Sequence, residues 1–262
     1  MISVTILNKN GQRTLENVLQ SVSRFDEVIL LDTGSTDKSL EIAKQFTNVS
    51  IHHHPFTGFG PLHNYASSLA KHSWILSIDS DEVLSKELCN EILVHPLNEQ
   101  YVYSFPMNNY FNGKLIRHCG WYPDRHIRLY NKNTTCFSDA FVHEGILTKG
   151  LKEHPFNNPV LHYSYEGISD FLLKMQRYSD LFAQQNKGKK KSSLRHAIFH
   201  GIGAFLKTYI LKKGFLDAYE GFVISTYNAN TAFYKYLKLK EQNEKLHAHH
   251  THVPQNRDRK AQ

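Results

Sequence analysis

Apolar runs alternate with segments of helical periodicity through the first eighty residues, and this alternation constrains the fold more than any other feature. The predicted strands are 2–7, 27–31, 49–52 and 74–78, and the predicted helices between them are 12–23, 36–46 and 61–71. Strands separated by helices of about a dozen residues form βαβ units, which build a parallel sheet and bind ligands beyond the carboxyl ends of the strands. Functional residues are therefore expected directly after strands.

The rest of the chain changes its pattern twice. Residues 101–130 form short aromatic runs with turn residues such as Asn112-Gly113, which predicts an antiparallel extension of the sheet. After Gly167 the pattern is helical, and the predicted helices are 168–185, 194–212 and 215 to about 240. We therefore predict an α/β fold with a mixed sheet flanked by helices and a C-terminal helical appendage. The predicted divisions are a sheet domain at 1–166, a helical region at 167–240 and a disordered tail at 241–262.

Composition limits the class of protein and of partner. The chain has 262 residues, a formal net charge of +7 and 40% hydrophobic residues. These values predict one large domain with an appendage and exclude a disordered protein. The positive charge favours anionic partners such as phosphates, nucleic acid or anionic lipid. The three cysteines lack C-x-x-C spacing, so they fit neither a disulfide framework nor a zinc cluster and favour a reducing compartment.

The sequence pattern shows neither a secretory signal peptide nor a membrane span. The opening residues MISVTILNKN have no basic region before their apolar residues and no small-residue cleavage site. No apolar run approaches the length of about 18 residues that a membrane span needs. We expect a cytoplasmic protein that reaches a membrane only by binding its surface.

Two aspartates, Asp79 and Asp81, directly follow the predicted strand at 74–78. Alternation along an extended chain places them on one side, where two hard oxygen ligands can share a divalent ion or divide between a ribose and a metal. Solvated acidic turns also contain such D-x-D triplets. The position after a hydrophobic strand favours the functional interpretation.

A second polar motif, Asp32-Thr33-Gly34-Ser35-Thr36-Asp37, follows the second strand and opens a helix. Its hydroxyl groups can cap that helix, and Asp32 can accept hydrogen bonds from a base or a ribose. A capped turn with no further function explains these residues equally well. Asn8 and Asn10 end the first strand in the same way. Three βα units thus place polar groups at one edge of one sheet, which packing alone does not explain.

The three strand-end motifs resemble family-2 glycosyltransferases of the GT-A fold in both order and spacing. Within that family the resemblance is closest to bacterial lipopolysaccharide-core β-glucosyltransferases. It rests on Gly58-Phe59-Gly60 with Asn64 and Ala66, Arg125 to Tyr130, Val142-His143-Glu144, and Lys212 to Asp217. The likeness covers about residues 2–235. It departs at Ala218, where Gly is usual, and at Leu62-His63, where a Gln-Arg pair is common.

The resemblance implies an inverting, metal-dependent enzyme that transfers a hexose, glucose, from a nucleotide diphosphate sugar such as a UDP-hexose to a glycolipid or core oligosaccharide. Asp32 would contact the uracil or the ribose, and Asn8 and Asn10 would lie in the same donor site. Arg125 and Arg128, three residues apart, would line this pocket and neutralise phosphate charge. An ordinary basic strand edge also explains the two arginines.

The resemblance also implies a site for Mg²⁺ or Mn²⁺. Asp79 would contact the ribose and the metal region, and Asp81 would hold the ion that bridges the two phosphates. His143 would ligate the metal or orient its neighbour. A divalent ion neutralises the charge that builds on the departing diphosphate.

An inverting transfer further needs a carboxylate that takes the proton of the attacking acceptor hydroxyl. The resemblance assigns this role to Glu144, and Asp124 and Asp139 are rivals. Without the family resemblance, a surface turn would be the preferred interpretation of His143 and Glu144. Trp121 and Tyr122 are predicted as an apolar platform for an acceptor sugar, although aromatic pairs are more often core residues.

The segment 181–216 contains eight Lys or Arg residues and no acid, and apolar residues recur through it at helical spacing. This composition predicts a helix that can lie on an anionic membrane surface. A core-facing helix with a solvated basic face is an equally good interpretation.

Two other functions compete with glycosyl transfer. A nucleotidyltransferase also binds a nucleotide on a doubly wound sheet, but it normally needs a Gly-rich, basic loop after its first strand, and 7–11 supplies little of that. A basic nucleic-acid-binding protein would suit the net charge. The chain lacks a recognised nucleic-acid motif, and its acidic strand ends would repel phosphates, so no nucleic-acid partner is expected.

Overall fold

The computed structural model describes residues 1–139 and 144–251, which form two compact units. One unit contains residues 1–115 and 122–164 and holds the sheet. The other contains residues 116–121 and the chain from Tyr165 onward, and it is helical. The loop segment 116–121 therefore packs with the helical unit.

The secondary structure follows the predicted order. The strands are β1 (Ile2–Asn8), β2 (Glu27–Asp32), β3 (Val49–His53), β4 (Trp74–Asp79), β5 (Glu82–Leu84), β6 (Tyr101–Phe111), β7 (Lys114–Leu115), β8 (Arg125–Asn131), β9 (Lys152–Pro155) and β10 (Val160–Tyr165). The helices are α1 (Leu15–Ser21), α2 (Ser39–Ala43), α3 (Phe59–Leu69), α4 (Lys86–Val94), α5 (Ile168–Asn186), α6 (Leu194–Leu206) and α7 (Ala218–Thr251).

The sheet is mixed, as predicted, and its order is β3-β2-β1-β4-β8-β6-β10-β5. The first four strands are parallel, and β8 joins β4 in the antiparallel direction. The register pairs Asn8 with Asp32 and Leu7 with Asp79. The carboxyl ends of β1, β2 and β4 thus meet at one edge.

β1 is buried along its whole length because helices cover both faces of the sheet. Val4 and Ile6 pack in the core that includes Leu15 of α1, whereas Leu7 packs with Leu62 of α3. Alternating residues of one strand therefore serve two cores, which explains why β1 reads as a continuous apolar run.

The predicted antiparallel extension is present. β6 and β7 form a hairpin at Asn112-Gly113, and both turn residues have positive φ, 53° and 73°. Asn and Gly are the residues that tolerate this conformation best, so the dipeptide fixes the turn.

Helices α1 and α2 are shorter than predicted because the residues before them bind each other. The backbone N–H of Gln12 donates to Asp37 Oδ2 at 3.1 Å, and the backbone N–H of Lys38 donates to Gln12 Oε1 at 3.0 Å. These bonds tie two loops together and replace the first helical turns. β5, α4, β9 and β10 lay outside the sequence predictions.

The helical unit consists of α5, α6 and α7, together with a π-helical turn at Lys207–Leu211 and a 3-10 helix at Gly214–Asp217. α7 continues to Thr251, beyond the end near residue 240 that the sequence predicts. Residues 252–262 of the predicted tail lie outside the described residues. Across the described part of the chain, no helix is both long and apolar enough to cross a membrane.

Ala218 is strained, and we expect Ala218→Gly to stabilise the protein. Its φ of 54° with ψ of −126° is a conformation that suits glycine, the residue usual here in the resembling family. Removing the Cβ should raise the free energy of unfolding by about 1 kcal/mol. Urea unfolding measures this change. Ala232→Gly, within α7, is the matched control and should lower stability by about the same amount. A loss of stability in Ala218→Gly would contradict the assignment of strain.

Candidate active site

Polar side chains converge where β1, β2 and β4 end. The pairing of Asn8 with Asp32 and of Leu7 with Asp79 brings the three predicted motifs side by side. The loop after β1 also contacts the loop after β4, because Thr14 Oγ1 donates to the carbonyl of Ser80 at 2.7 Å. The expectation that polar groups gather at one sheet edge is confirmed for these residues.

Asp32 is buried and organises the loop after β2. Its Oδ2 accepts the backbone N–H groups of Gly34 and Ser35 at 3.0 Å each, and its Oδ1 accepts Asn8 Nδ2 at 3.0 Å and Ser35 Oγ. Burial opposes ionisation, but these donors hold the pKa of Asp32 below its usual value. Both carboxylate oxygens therefore already accept hydrogen bonds from the protein, so Asp32 orders the loop after β2.

Asn8 and Asn10 join the first two loops. Asn8 Nδ2 also donates to Ser35 Oγ at 3.0 Å, and Asn10 accepts the backbone N–H of Thr36 at 2.8 Å through its Oδ1. Gly11 completes this contact, because a Cβ there would lie 2.4 Å from Asn8 Oδ1. The two loops form a single polar wall beside the end of β4.

Arg128 lies between two carboxylates of the next motif. It donates to Asp79 Oδ2 at 2.8 Å and to Glu82 Oε1. Glu82 is buried, whereas the Asp79 side chain is 38% exposed and can be reached from outside. Burial opposes the charge on Asp79, but Arg128 holds the pKa of Asp79 well below its usual range. Asp79 is therefore an accessible, ionised carboxylate.

A β-bulge aims Arg128 at this cluster. The pairing of β6 with β8 passes from Ser104–Ile127 to Tyr103–Leu129, so Arg128 is an extra residue. Bulges redirect a side chain out of the regular alternation of a strand. The sequence pattern contains no signal for this bulge.

Asp81 begins a chain of polar contacts. Its Oδ1 lies 3.6 Å from His162 Nε2, and His162 Nδ1 lies 2.8 Å from Asn109 Oδ1. Asn109 Nδ2 donates to Asp124 Oδ2 at 3.1 Å, and Asp124 Oδ1 lies 3.1 Å from His126 Nε2. The carboxylate predicted to hold the metal is thus connected to one of the rival bases. Burial opposes protonation of His162, but Asp81 raises the pKa of His162 above its usual value.

Sequence reasoning missed His162 and Glu82 as site residues. His162 reaches the cluster because β10 pairs with β5, in a register that places His162 opposite Glu82. Glu82 adjoins the D-x-D triplet, so its proximity was a usable signal. No local motif marks His162.

The residues at the strand ends can supply two carboxylate ligands to a divalent ion. In residues 1–139 and 144–251, no group of three His, Cys, Asp or Glu side chains is arranged to hold a metal. Mg²⁺ usually binds one or two carboxylates and completes its shell with water and substrate phosphates, so a full protein cage is not required. Asp81, with a 30% exposed side chain, and Asp79 supply this kind of donor set. His143 lies outside the described residues.

Two further predicted site residues, Arg125 and Glu144, lie in β8 and in the segment that begins at residue 144. Arg125 donates to the carbonyls of Ser104 and Phe156 at 2.8 and 3.0 Å, so its guanidinium and that of Arg128 have different partners. We leave Arg125 out of the proposed donor site. Glu144 begins the second described segment and is half-buried, two residues before the bridge of Ile146 to Phe137.

The predicted sugar platform is divided between the two compact units. Trp121 packs in the helical unit and stacks on Tyr165 with ring centroids 5.5 Å apart, and Phe171 lies next in the cluster. Tyr122 belongs to the sheet unit and is exposed. Their role in acceptor binding stays a prediction.

His63 lies beneath the site, and we expect it to destabilise the protein in acid. It is buried, stacks on Phe137 at 4.3 Å, and its Nδ1 lies 3.0 Å from Ser77 Oγ. Burial lowers the pKa of His63 to about 4. Between pH 6.5 and 4 the unfolded chain binds a proton at this residue and the folded chain does not, so stability falls as the pH falls. The loss should reach about 3 kcal/mol at pH 4.

His63→Gln tests this expectation, since an amide can replace the bond to Ser77 without titrating. Urea unfolding at pH 7 and pH 4 should show a smaller acid loss in His63→Gln than in the wild type. His200→Gln, at an exposed position of the helical unit, is the control and should keep the wild-type loss. Equal acid losses in all three proteins would assign the effect to other groups.

Similarity to known proteins extends over most of the chain. The model of the glycosyl transferase family 2 matches residues 3–154. An uncharacterized glycosyltransferase of Rickettsia bellii (strain RML369-C) is 30% identical over 262 residues, covering 92% of this chain and 86% of that protein. The lipopolysaccharide core biosynthesis glycosyltransferase LpsC of Rhizobium meliloti (strain 1021) is 25% identical over 252 residues, covering 91% of each. The crystal structure of S. aureus TarS 1-349 in complex with UDP-GlcNAc aligns with a TM-score of 0.46 and 14% identity, over 95% of this chain and 92% of that one.

Proposed function

Because the chain belongs to glycosyl transferase family 2, we propose that it transfers a hexose, glucose, from a nucleotide diphosphate sugar to a lipopolysaccharide core or another lipid-linked glycan, with inversion at the anomeric carbon. The observation that carries this proposal is the convergence of Asn8, Asp32 and Asp79 at one sheet edge, with Asp81 directly beyond. Family membership favours glycosyl transfer over the nucleotidyltransferase alternative.

The polar wall supports binding of the donor nucleoside. Asp32 and Asn8 hold the loop that contains Ser35, and β1, which ends at Asn8, lies between β2 and the strand β4 that ends at Asp79. A nucleoside at this place would meet polar groups from β1, β2 and β4. A UDP-hexose is the donor that the resemblance favours.

Asp81, assisted by Asp79, would hold Mg²⁺ or Mn²⁺ against the two phosphates of the donor. When bound, the ion neutralises the negative charge that develops on the leaving diphosphate. Arg128 favours the ionised form of Asp79 and also donates to the buried carboxyl group of Glu82. These residues prepare the site for the charged part of the donor.

Glu144 would act as the general base. In an inverting transfer, the acceptor hydroxyl oxygen forms a bond to the anomeric carbon as the bond from that carbon to the diphosphate oxygen breaks. The hydroxyl proton passes to the carboxylate of Glu144, and the bonding electron pair leaves with the diphosphate. Asp124 and Asp139 remain the rival bases.

Two further observations support a proposal for the acceptor and for the location of the enzyme in the cell. LpsC, a relative along nearly the whole chain, carries a name that refers to lipopolysaccharide core biosynthesis. The segment 181–216 is rich in lysine and contains no acid. We propose that the enzyme works at the cytoplasmic face of an anionic membrane, to which the helical unit attaches.

The experiment that tests the function is incubation with a panel of nucleotide sugars, with and without Mg²⁺ and Mn²⁺, followed by measurement of the free nucleotide. We expect slow, metal-dependent hydrolysis of one donor in the absence of acceptor. Release that needs no metal would contradict the proposed role of Asp81. A failure to bind any nucleotide sugar would contradict the proposed donor site.

A further inference from the structure

Helix α6 exposes much of its apolar surface. Its buried residues are Ala197 and Gly201, while Ile198, Phe199 and Ile202 are 41%, 74% and 55% exposed. Leu206 is exposed as well, and so are Ile210 and Leu211 in the π-helical turn. Contiguous apolar side chains at helical spacing on a surface mark a place where a partner binds.

A groove runs along this surface between α6 and α7. The two helices are antiparallel, since Ser192 Oγ donates to the carbonyl of Tyr236 and Asn228 Nδ2 donates to Thr208 Oγ1. Gly201 lets them approach, because a Cβ there would lie 3.3 Å from the Cβ of Phe233. The groove has a volume of about 430 Å³, within the range of ligand sites. Its main lining residues are Ile198, Ile202, Phe205 and Leu206 of α6 and Ala229 and Phe233 of α7.

The charged residues in the two chain segments that form the groove are all basic. No Asp or Glu occurs in 181–216 or in 221–240, which are the stretches that contain α6 and the facing part of α7. Arg195 stands one turn before Ile198, and Lys207 directly follows Leu206. A ligand in the groove therefore meets apolar side chains along its length and cations toward the ends of α6.

We propose that the groove between α6 and α7 binds one acyl chain of an anionic membrane lipid, whose headgroup the basic residues near its ends hold. An anionic lipid combines the two properties that the groove selects, an apolar chain and a negative group at its end. A second copy of the same surface would instead bring two sets of cations together, which disfavours self-association here. The inference rests on the membrane attachment proposed above and adds a specific lipid site to it.

Calorimetric titration with dihexanoyl phosphatidylglycerol, kept below its critical micelle concentration, tests the groove without a membrane. We expect saturable binding of one lipid per chain. Ile202→Asn should weaken this binding by about tenfold, because the variant places an amide in the apolar groove while charge stays the same. Leu173→Asn is the matched control, since Leu173 is 72% exposed on α5 outside the groove, and it should bind like the wild type.

Sedimentation with anionic and neutral vesicles separates the groove from the membrane attachment. We expect binding to anionic vesicles that Ile202→Asn reduces and Leu173→Asn does not, with hydrolysis of the donor sugar unchanged in both variants. Wild-type binding to anionic vesicles without binding of the short-chain lipid would overturn the groove and leave the attachment standing. No binding to either would overturn both. A dimer in sedimentation velocity that Ile202→Asn dissociates would overturn the proposal in favour of a second copy.

Discussion

Asp81→Asn is expected to lower glycosyl transfer by about 10³-fold or more while the protein stays folded. The substitution removes the carboxylate proposed to hold the metal against the donor phosphates. Asp81 is partly exposed directly beyond β4, and an amide of the same shape can still accept a hydrogen bond from His162, whose Nε2 lies 3.6 Å from Asp81 Oδ1. The effect should therefore fall on the reaction and leave the free energy of unfolding nearly unchanged.

Turnover at saturating Mg²⁺ and Mn²⁺, measured together with urea unfolding, checks this expectation. Asp26→Asn is the matched control, because Asp26 is an exposed aspartate before the amino end of β2, at the opposite edge of the sheet. Asp79→Asn should mainly weaken donor binding, since Asp79 is the accessible partner of Arg128. Near-normal turnover of Asp81→Asn at saturating metal would show that the D-x-D assignment is wrong.

Glu144→Gln is expected to retain donor binding and to lose transfer by ~10²–10⁴-fold, the range typical of a lost general base. The uncharged isostere preserves the shape of the side chain but cannot take the acceptor proton. Donor binding is measured by titration with the nucleotide and metal, and transfer is measured with the acceptor. The two readouts distinguish a lost base from a disturbed donor site.

Asp124→Asn is the informative companion of this variant. Asp124 is connected to Asp81 through Asn109 and His162, so a change there can disturb the site without removing the base. Full activity in Glu144→Gln, combined with a loss of comparable size in Asp124→Asn or Asp139→Asn, would move the role of base to that residue.

The convergence of polar residues at the sheet edge was predictable because it depends on local patterns. The strands β1, β2 and β4 are apolar runs, and polar motifs follow each of them. In a parallel sheet the ends of such strands meet at one edge, so Asn8, Asp32 and Asp79 come together once the strands are identified. The helix lengths were less predictable, because Gln12 and Asp37 bind across two loops and replace helical turns.

The positions of Arg128 and His162 beside these carboxylates were not predictable from local patterns. Arg128 reaches Asp79 through a bulge, and His162 reaches Asp81 through the pairing of β10 with the three-residue strand β5. Neither a bulge nor an antiparallel pairing across about eighty residues leaves a periodic signal. Spacing alone suggested one pocket for Arg125 and Arg128, whereas their guanidinium groups bind different partners.

The contact of Arg128 with Glu82 affects the order in which parts of the protein fold during synthesis. The two residues are 46 positions apart, and β5 finds its partner strand only at Val160–Tyr165. A ribosome therefore releases the acidic strand ends long before the residues that neutralise and cover them. Nascent chains that stop before β8 carry a carboxylate whose burial is not yet compensated, which opposes closure of this edge. The first four parallel strands can assemble during synthesis, while the surroundings of Asp79, Asp81 and Glu82 are completed last, when β10 has emerged and docked.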